Sequence, residues 1–191
     1  GDGSNEMGDN LPSVDLGTGK TAKQLALGGA HTCAILNDNT LKCWGLNNFG
    51  YLGYGDLIPR GDNSNEMGDN LPAIDLGTGK TAKQIVTISG TTCAILNDDT
   101  LKCWGRNNGG RLGYGDTNAR GDGPNEMGDN LAAVDLGTGK RVKQLALGDA
   151  HTCAILNDNT VKCWGDGGDG KTGYGNTQWL GDGPNEMGDN L

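Results

Sequence analysis

The chain has 191 residues, of which 36 are glycine, one is phenylalanine and only 34% are hydrophobic, so it cannot fill one large globular core. Its formal net charge of −9 repels phosphate backbones and argues against nucleic acid as a partner. No stretch is long and apolar enough for membrane insertion.

The first unit supplies the elements in order. Asp2, Glu6 and Asp9 stand in an opening loop rich in glycine and asparagine. Val14-Asp15-Leu16 is a candidate fourth strand. Gly17-Thr18-Gly19-Lys20-Thr21 is shaped like the end of a phosphate-binding loop, but Val14 stands where that motif needs its first glycine, and no helix follows, so it reads as a turn. Lys23-Gln24-Leu25-Ala26-Leu27 and His31-Thr32-Cys33-Ala34-Ile35-Leu36 read as short strands. Asn37-Asp38-Asn39-Thr40 is a turn cluster, and Leu41-Lys42-Cys43-Trp44 returns as the partner strand.

The same series then recurs every 60 residues: Cys33 and Cys43 return as Cys93 and Cys103, then as Cys153 and Cys163. The repeats occupy 1–60, 61–120 and 121–180, and 181–191 begins a fourth. A chain that opens on Gly1 rather than Met and stops inside a repeated motif is expected to be a segment of a longer array, its leader removed or absent. Glycine-punctuated strands at even spacing argue for an all-β propeller, sandwich or solenoid.

Gly28-x-x-His31-Thr32-Cys33-Ala34-Ile35-Leu36-Asn37-Asp38, followed by Lys42-Cys43-Trp44-Gly45-x-Asn47-x-x-Gly50-x-Leu52-Gly53-x-Gly55-Asp56, resembles the RCC1 (regulator of chromosome condensation) repeat. The resemblance implies β-propeller blades, here three repeats that belong to a larger propeller or are completed between molecules. It also implies loops presented to a protein partner. Trp44, Trp104 and Trp164 recur in register and are expected to pack between blades.

With Asn37-Asp38-Asn39 at the hairpin tip, Cys33 falls opposite Cys43, and likewise Cys93 opposite Cys103 and Cys153 opposite Cys163. Opposed strand positions lie within disulfide reach. Three disulfides are therefore expected, and with them a secreted, extracellular chain. Two alternatives stand beside this: free buried thiols, and a metal site of His31, Cys33 and Cys43. The spacing matches no zinc signature, and Thr91 replaces the imidazole in the second unit.

The acidic loops are candidate calcium sites, through Asp2, Glu6 and Asp9, Asp62, Glu66 and Asp69, and Asp122, Glu126 and Asp129. The other reading is a solvated acidic surface, and no other cofactor or firm metal site is expected. Arg60-Gly61-Asp62 and Arg120-Gly121-Asp122 spell an adhesion tripeptide that Leu180 breaks in the third unit. Leu46, Phe49, Tyr51, Arg106 and Arg111 are among the few positions at which the units differ strongly, and Trp179 replaces Pro59 and Ala119; these are candidate partner-binding residues.

No nucleophile and base recur in a catalytic arrangement, so no enzyme is expected. Near-identical units present the same surface repeatedly, and three blades leave two open edges. The sequence therefore points to an extracellular non-catalytic scaffold, a structural or self-assembling fibre or surface protein. Its partners would be copies of itself or neighbouring repeats. The alternative is a secreted protein-binding module such as an adhesin or enzyme inhibitor.

Overall fold

A computed structural model describes residues 2–191. Gly1, the first residue of the first repeat, lies outside them. In each unit the expected hairpin is closed by the same chemistry. Asp38 Oδ1 accepts the Thr40 amide at 3.1 Å, and Asn39 takes a positive φ of 67°, a conformation asparagine tolerates. That turn sets the register, with Cys33 opposite Cys43.

Each unit is a three-stranded antiparallel meander. The first comprises β1 (Ala22–Leu27), β2 (His31–Leu36) and β3 (Leu41–Gly45). The second comprises β4 (Ala82–Ile88), β5 (Thr91–Leu96) and β6 (Leu101–Gly105). The third comprises β7 (Val142–Leu147), β8 (His151–Leu156) and β9 (Val161–Gly165). The three sheets are consecutive blades of a β-propeller, with β4 packed on β1 and β2 of the blade before it. The expected cysteine pairs are bonded: Cys33–Cys43, Cys93–Cys103 and Cys153–Cys163, each with Cα atoms 4.1 Å apart. Among the described residues no cysteine is free for the alternative readings.

The fourth strand is not where the sequence pattern suggested. Val14-Asp15-Leu16 belongs to no strand and no ladder. The outer edge of each blade is instead touched by a single bridge, Gly45 to Arg60 in the first unit and Gly105 to Arg120 in the second. The 14–16 segment and its copies serve the neighbouring unit. Ile74 donates its amide to the Leu41 carbonyl at 2.7 Å, and Gly68 donates to the Asp15 carbonyl at 3.1 Å.

Apolar burial follows the same logic. One cluster joins Cys33, Leu41 and Leu52 of the first unit to Ile74, Ile85 and Trp104 of the second. The other joins Leu101 and Leu112 of the second to Val134, Leu145 and Trp164 of the third. Each core thus lies between units, which is how a chain poor in large apolar residues still buries them.

Candidate functional site

The boundary between units is built around one backbone carbonyl. Tyr51 O accepts the indole N–H of Trp104 at 3.2 Å and the hydroxyl of Thr92 at 2.9 Å. One unit on, Arg111 O accepts from Trp164 at 3.0 Å and from Thr152 at 2.8 Å. The expected inter-blade role of the tryptophans holds for these two, which are fully buried; Trp44, in the first unit described, is half-buried. Tyr51 and Arg111 are therefore boundary residues. Both are buried rather than displayed on the rim, a correction that sequence variation could not reveal, because the carbonyl that accepts these boundary bonds belongs to the backbone.

The turn shaped like a phosphate-binding loop does hold an anion, and the anion is the protein's own. The Thr18 amide (2.9 Å) and hydroxyl (2.7 Å) donate to the Asp69 carboxylate of the next unit. Thr78 does the same to Asp129, and Thr138 to Asp189. These bonds hold each aspartate below the usual carboxylate range, with hydroxyl donation the leading cause. Gly17 is required here: its φ is +111°, and a Cβ on it would lie 2.7 Å from Asp69 Oδ1. Beside the clasp, the Lys42 ammonium donates to the carbonyls of Leu16 (2.9 Å) and Gly68 (2.8 Å), so one buried lysine ties two units together.

The acidic loop residues expected to converge on a cation do not do so. Glu66 Oε2 accepts the amides of Gly61 (2.9 Å), Asp62 (3.2 Å) and Asn63 (3.1 Å), shaping its own loop, while Asp69 reaches back to Thr18. Glu126 repeats this with Asp122 and Gly123, Glu6 accepts from Gly3, and Asp2 and Asp9 lie exposed in the opening loop. Among the described residues no group of three or more histidine, cysteine or acidic side chains is placed to hold a metal ion. The adhesion tripeptide is also engaged internally: Arg60 pairs with Asp56 at 2.8 Å and lies 4.3 Å from the Tyr54 ring centroid.

Leu46, Phe49 and Trp179 are exposed, as are Leu57 and Ile58, which the sequence reading passed over. Asn47 explains how Leu57 and Ile58 join this surface. Its amide donates to the carbonyls of Asp56 (2.8 Å) and Ile58 (3.2 Å), folding the return loop beside Leu46. Trp179 covers Gly109, where the first unit has Phe49 and, opposite it, Ala119: large meets small in either direction. In the third unit Gly167 replaces the loop-folding asparagine, and Lys171 pairs with Asp166 at 2.6 Å instead.

Two equivalent open grooves, of about 480 and 450 Å³, flank the boundaries beside Tyr54 and Tyr114. The first is lined by Gly53, Tyr54, Pro72, Asp75, Asn125 and Asn130 among others, and no serine, cysteine, histidine or lysine contributes to it.

Models of the regulator of chromosome condensation (RCC1) repeat match residues 22–50, 98–155 and 142–171. The chain belongs to the RCC1 repeat family. It is 32% identical over 151 residues to the ultraviolet-B receptor UVR8 of Arabidopsis thaliana, which spans 78% of this chain and 30% of that protein. It is 33% identical over 152 residues to the human E3 ubiquitin-protein ligase HERC2, spanning 77% of this chain and 3% of that one. Among solved structures, Prp20p of Saccharomyces cerevisiae, described with its binding to Gsp1p and histones, aligns over 81% of this chain and 34% of its own, with a TM-score of 0.58 and 21% identity. Human WBSCR16 aligns over 89% of this chain and 41% of its own, with a TM-score of 0.62 and 19% identity. These three RCC1 repeats therefore span less than half of each of these relatives, and the likeness to the solved structures speaks to the propeller fold alone.

Proposed function

We propose that these RCC1 repeats form an extracellular, non-catalytic scaffold that adds further like repeats to its two ends, in a surface array or fibre. The observation that carries this is a mismatch between copies of one residue. Ile85 and Leu145 are 1% and 4% exposed, because each packs on the unit before it, whereas Leu25 of the first unit is 59% exposed. The trailing end is the complement: Leu41 and Leu101 are fully buried by the unit after them, and Val161 is 57% exposed. The two ends are sheet faces, not the strand edges expected from the repeat count. Each is one half of a boundary that the chain forms twice internally, and a head-to-tail contact between such halves can be repeated from unit to unit, in a ring or an open array according to the rotation it sets. Burying one such Leu or Val side chain is favourable by about 1.5–3 kcal/mol. Three disulfides support an oxidising, extracellular setting.

Light scattering of the oxidised 191-residue chain tests the reading. Concentration-dependent assembly is expected, and Leu25→Lys and Val161→Lys, each blocking one end, should both stop chain growth. A monomer at every concentration, or assembly indifferent to both substitutions, overturns it.

A second reading, a secreted protein-binding module such as an adhesin or inhibitor, is favoured by the exposed apolar side chains of Leu46 and Phe49, and by the protein partners described for Prp20p.

A further inference from the structure

The units agree closely in sequence except along one rim. The first unit places Leu46, Phe49, Leu57 and Ile58 there; the second has Arg106, Gly109, Thr117 and Asn118; the third has Asp166, Asp169, Thr177 and Gln178. The rim is thus apolar, then basic, then acidic. The exposure of its apolar stretch does not come from a missing neighbour. Thr117 and Asn118, the copies of Leu57 and Ile58 in the middle unit, are exposed with units on both sides. Phe49, 44% exposed, faces the second unit, whose Arg106 guanidinium lies 5.9 Å from the Phe49 ring centroid.

Phe49 is held for display. It stacks on Tyr51 with ring centroids 6.0 Å apart, and Tyr51 lies against His31 at 5.5 Å. Arg106 differs from its charged relatives in the chain. Arg60 and Arg120 each pair with an aspartate, Asp56 and Asp116, whereas among the described residues Arg106 has no carboxylate partner, and its Nε is buried without a hydrogen bond. The guanidinium of Arg111 stands close enough to repel it and is itself bonded to backbone carbonyls, Asn108 O at 3.0 Å and Asp149 O at 2.6 Å. An unneutralised cation beside a fixed aromatic ring and exposed aliphatic side chains is a complementary surface for an apolar group next to an anion.

We propose that Leu46, Phe49, Leu57, Ile58 and Arg106 form a docking site for a partner-protein segment carrying an apolar side chain next to a carboxylate. The apolar side chain covers Phe49 and Ile58, and the carboxylate pairs with Arg106. The site spans the first and second units and includes neither Leu25 nor Val161, the residues the end-to-end contact uses.

The test uses the oxidised chain carrying Val161→Lys, so that loss of assembly and loss of docking are read separately. A display library of random peptides is selected on this chain and on the same chain with Arg106→Glu. Peptides with Asp or Glu beside Leu, Ile or Phe should be enriched on the former, and should bind the Arg106→Glu chain about tenfold or more weakly. The Arg106→Glu chain should in turn enrich Lys or Arg at that place, a gain that misfolding cannot produce. A Phe49→Ser chain should lose the apolar preference and keep the acidic one. No enrichment, enrichment without the acidic-apolar pairing, or peptides that bind both chains equally overturns the proposal.

Discussion

His31 Nε2 lies 2.9 Å from the hydroxyl oxygen of Thr92, across the boundary between the first and second units. That hydroxyl gives its one proton to the Tyr51 carbonyl, so the imidazole must be the donor, with its proton on Nε2. Nδ1 is buried with no partner, and a second proton there would find no acceptor.

A pH dependence follows. Burial lowers the His31 pKa from 6.5 to about 4. The unfolded chain binds the proton first as pH falls, so this contribution to stability is fully present above pH 6.5 and is lost on descending to pH 4, a total of about 3 kcal/mol. Asp38 and Asp158 are held below the usual carboxylate range by hydrogen bonds from Lys20 and Lys140, so their contributions fall away only at more acid pH. Urea unfolding across the His31 window should show this slope in the parent chain. It should largely vanish in His31→Gln; an unchanged slope would assign the effect elsewhere.

A paired substitution records the space His31 needs. A Cβ on Gly28 would lie 2.3 Å from His31 Cε1, and one on Gly148 would lie 2.2 Å from His151 Cε1. The second unit has Ile88 and Thr91 at those places, and Thr91 donates to the Arg106 carbonyl at 2.9 Å. Thr91→His alone should destabilise by about 1–3 kcal/mol through overpacking against Ile88. Adding Ile88→Gly should recover part of that loss, and a double-mutant cycle with no coupling would refute the account.

The tryptophans should separate by position. Trp104→Phe removes the indole donor to Tyr51 O in a fully buried site and should cost about 1–2 kcal/mol. Trp44→Phe, at a half-buried side chain, should cost distinctly less in the 191-residue chain. Denaturant unfolding of both variants decides the point, and equal losses would mean that the boundary carbonyl contributes little.

Each disulfide closes a short hairpin, with its cysteines 10 positions apart. Replacing Cys93 and Cys103 together by alanine should lower stability by about 3 kcal/mol in the chain-entropy account. The middle unit is the informative one, since it is packed on both sides and both its cysteines are fully buried. Thermal unfolding of the oxidised double variant should show a lower midpoint, and no change would mean that the hairpin is already fixed by its turn.

Much of this was legible in the sequence because it is local. The hairpin tip at Asn37-Asp38-Asn39 set the cysteine register by two-residue steps, and the 60-residue period set the three blades. What escaped the sequence depends on partners far along the chain. Val14-Asp15-Leu16 has a strand-like pattern, but its neighbour is Gly68, and its copy at Ile74 pairs with Leu41. Asp69 reads as a free acid until its bond to Thr18 is seen. Tyr51 and Arg111 vary as surface residues do, because the carbonyl that accepts from the next unit's threonine and tryptophan is main-chain, available from any side chain.

Both apolar clusters straddle boundaries, and this bears on how such a chain can change length. Removing sixty consecutive residues, from any point in one unit to the matching point in the next, joins a Tyr51-type carbonyl to a Trp104-type donor as before. Recombination between near-identical copies in the gene can therefore add or drop whole units without breaking a core. The rim residues travel with their block, so the same event reorders the apolar, basic and acidic segments and offers selection a new surface on an unchanged frame.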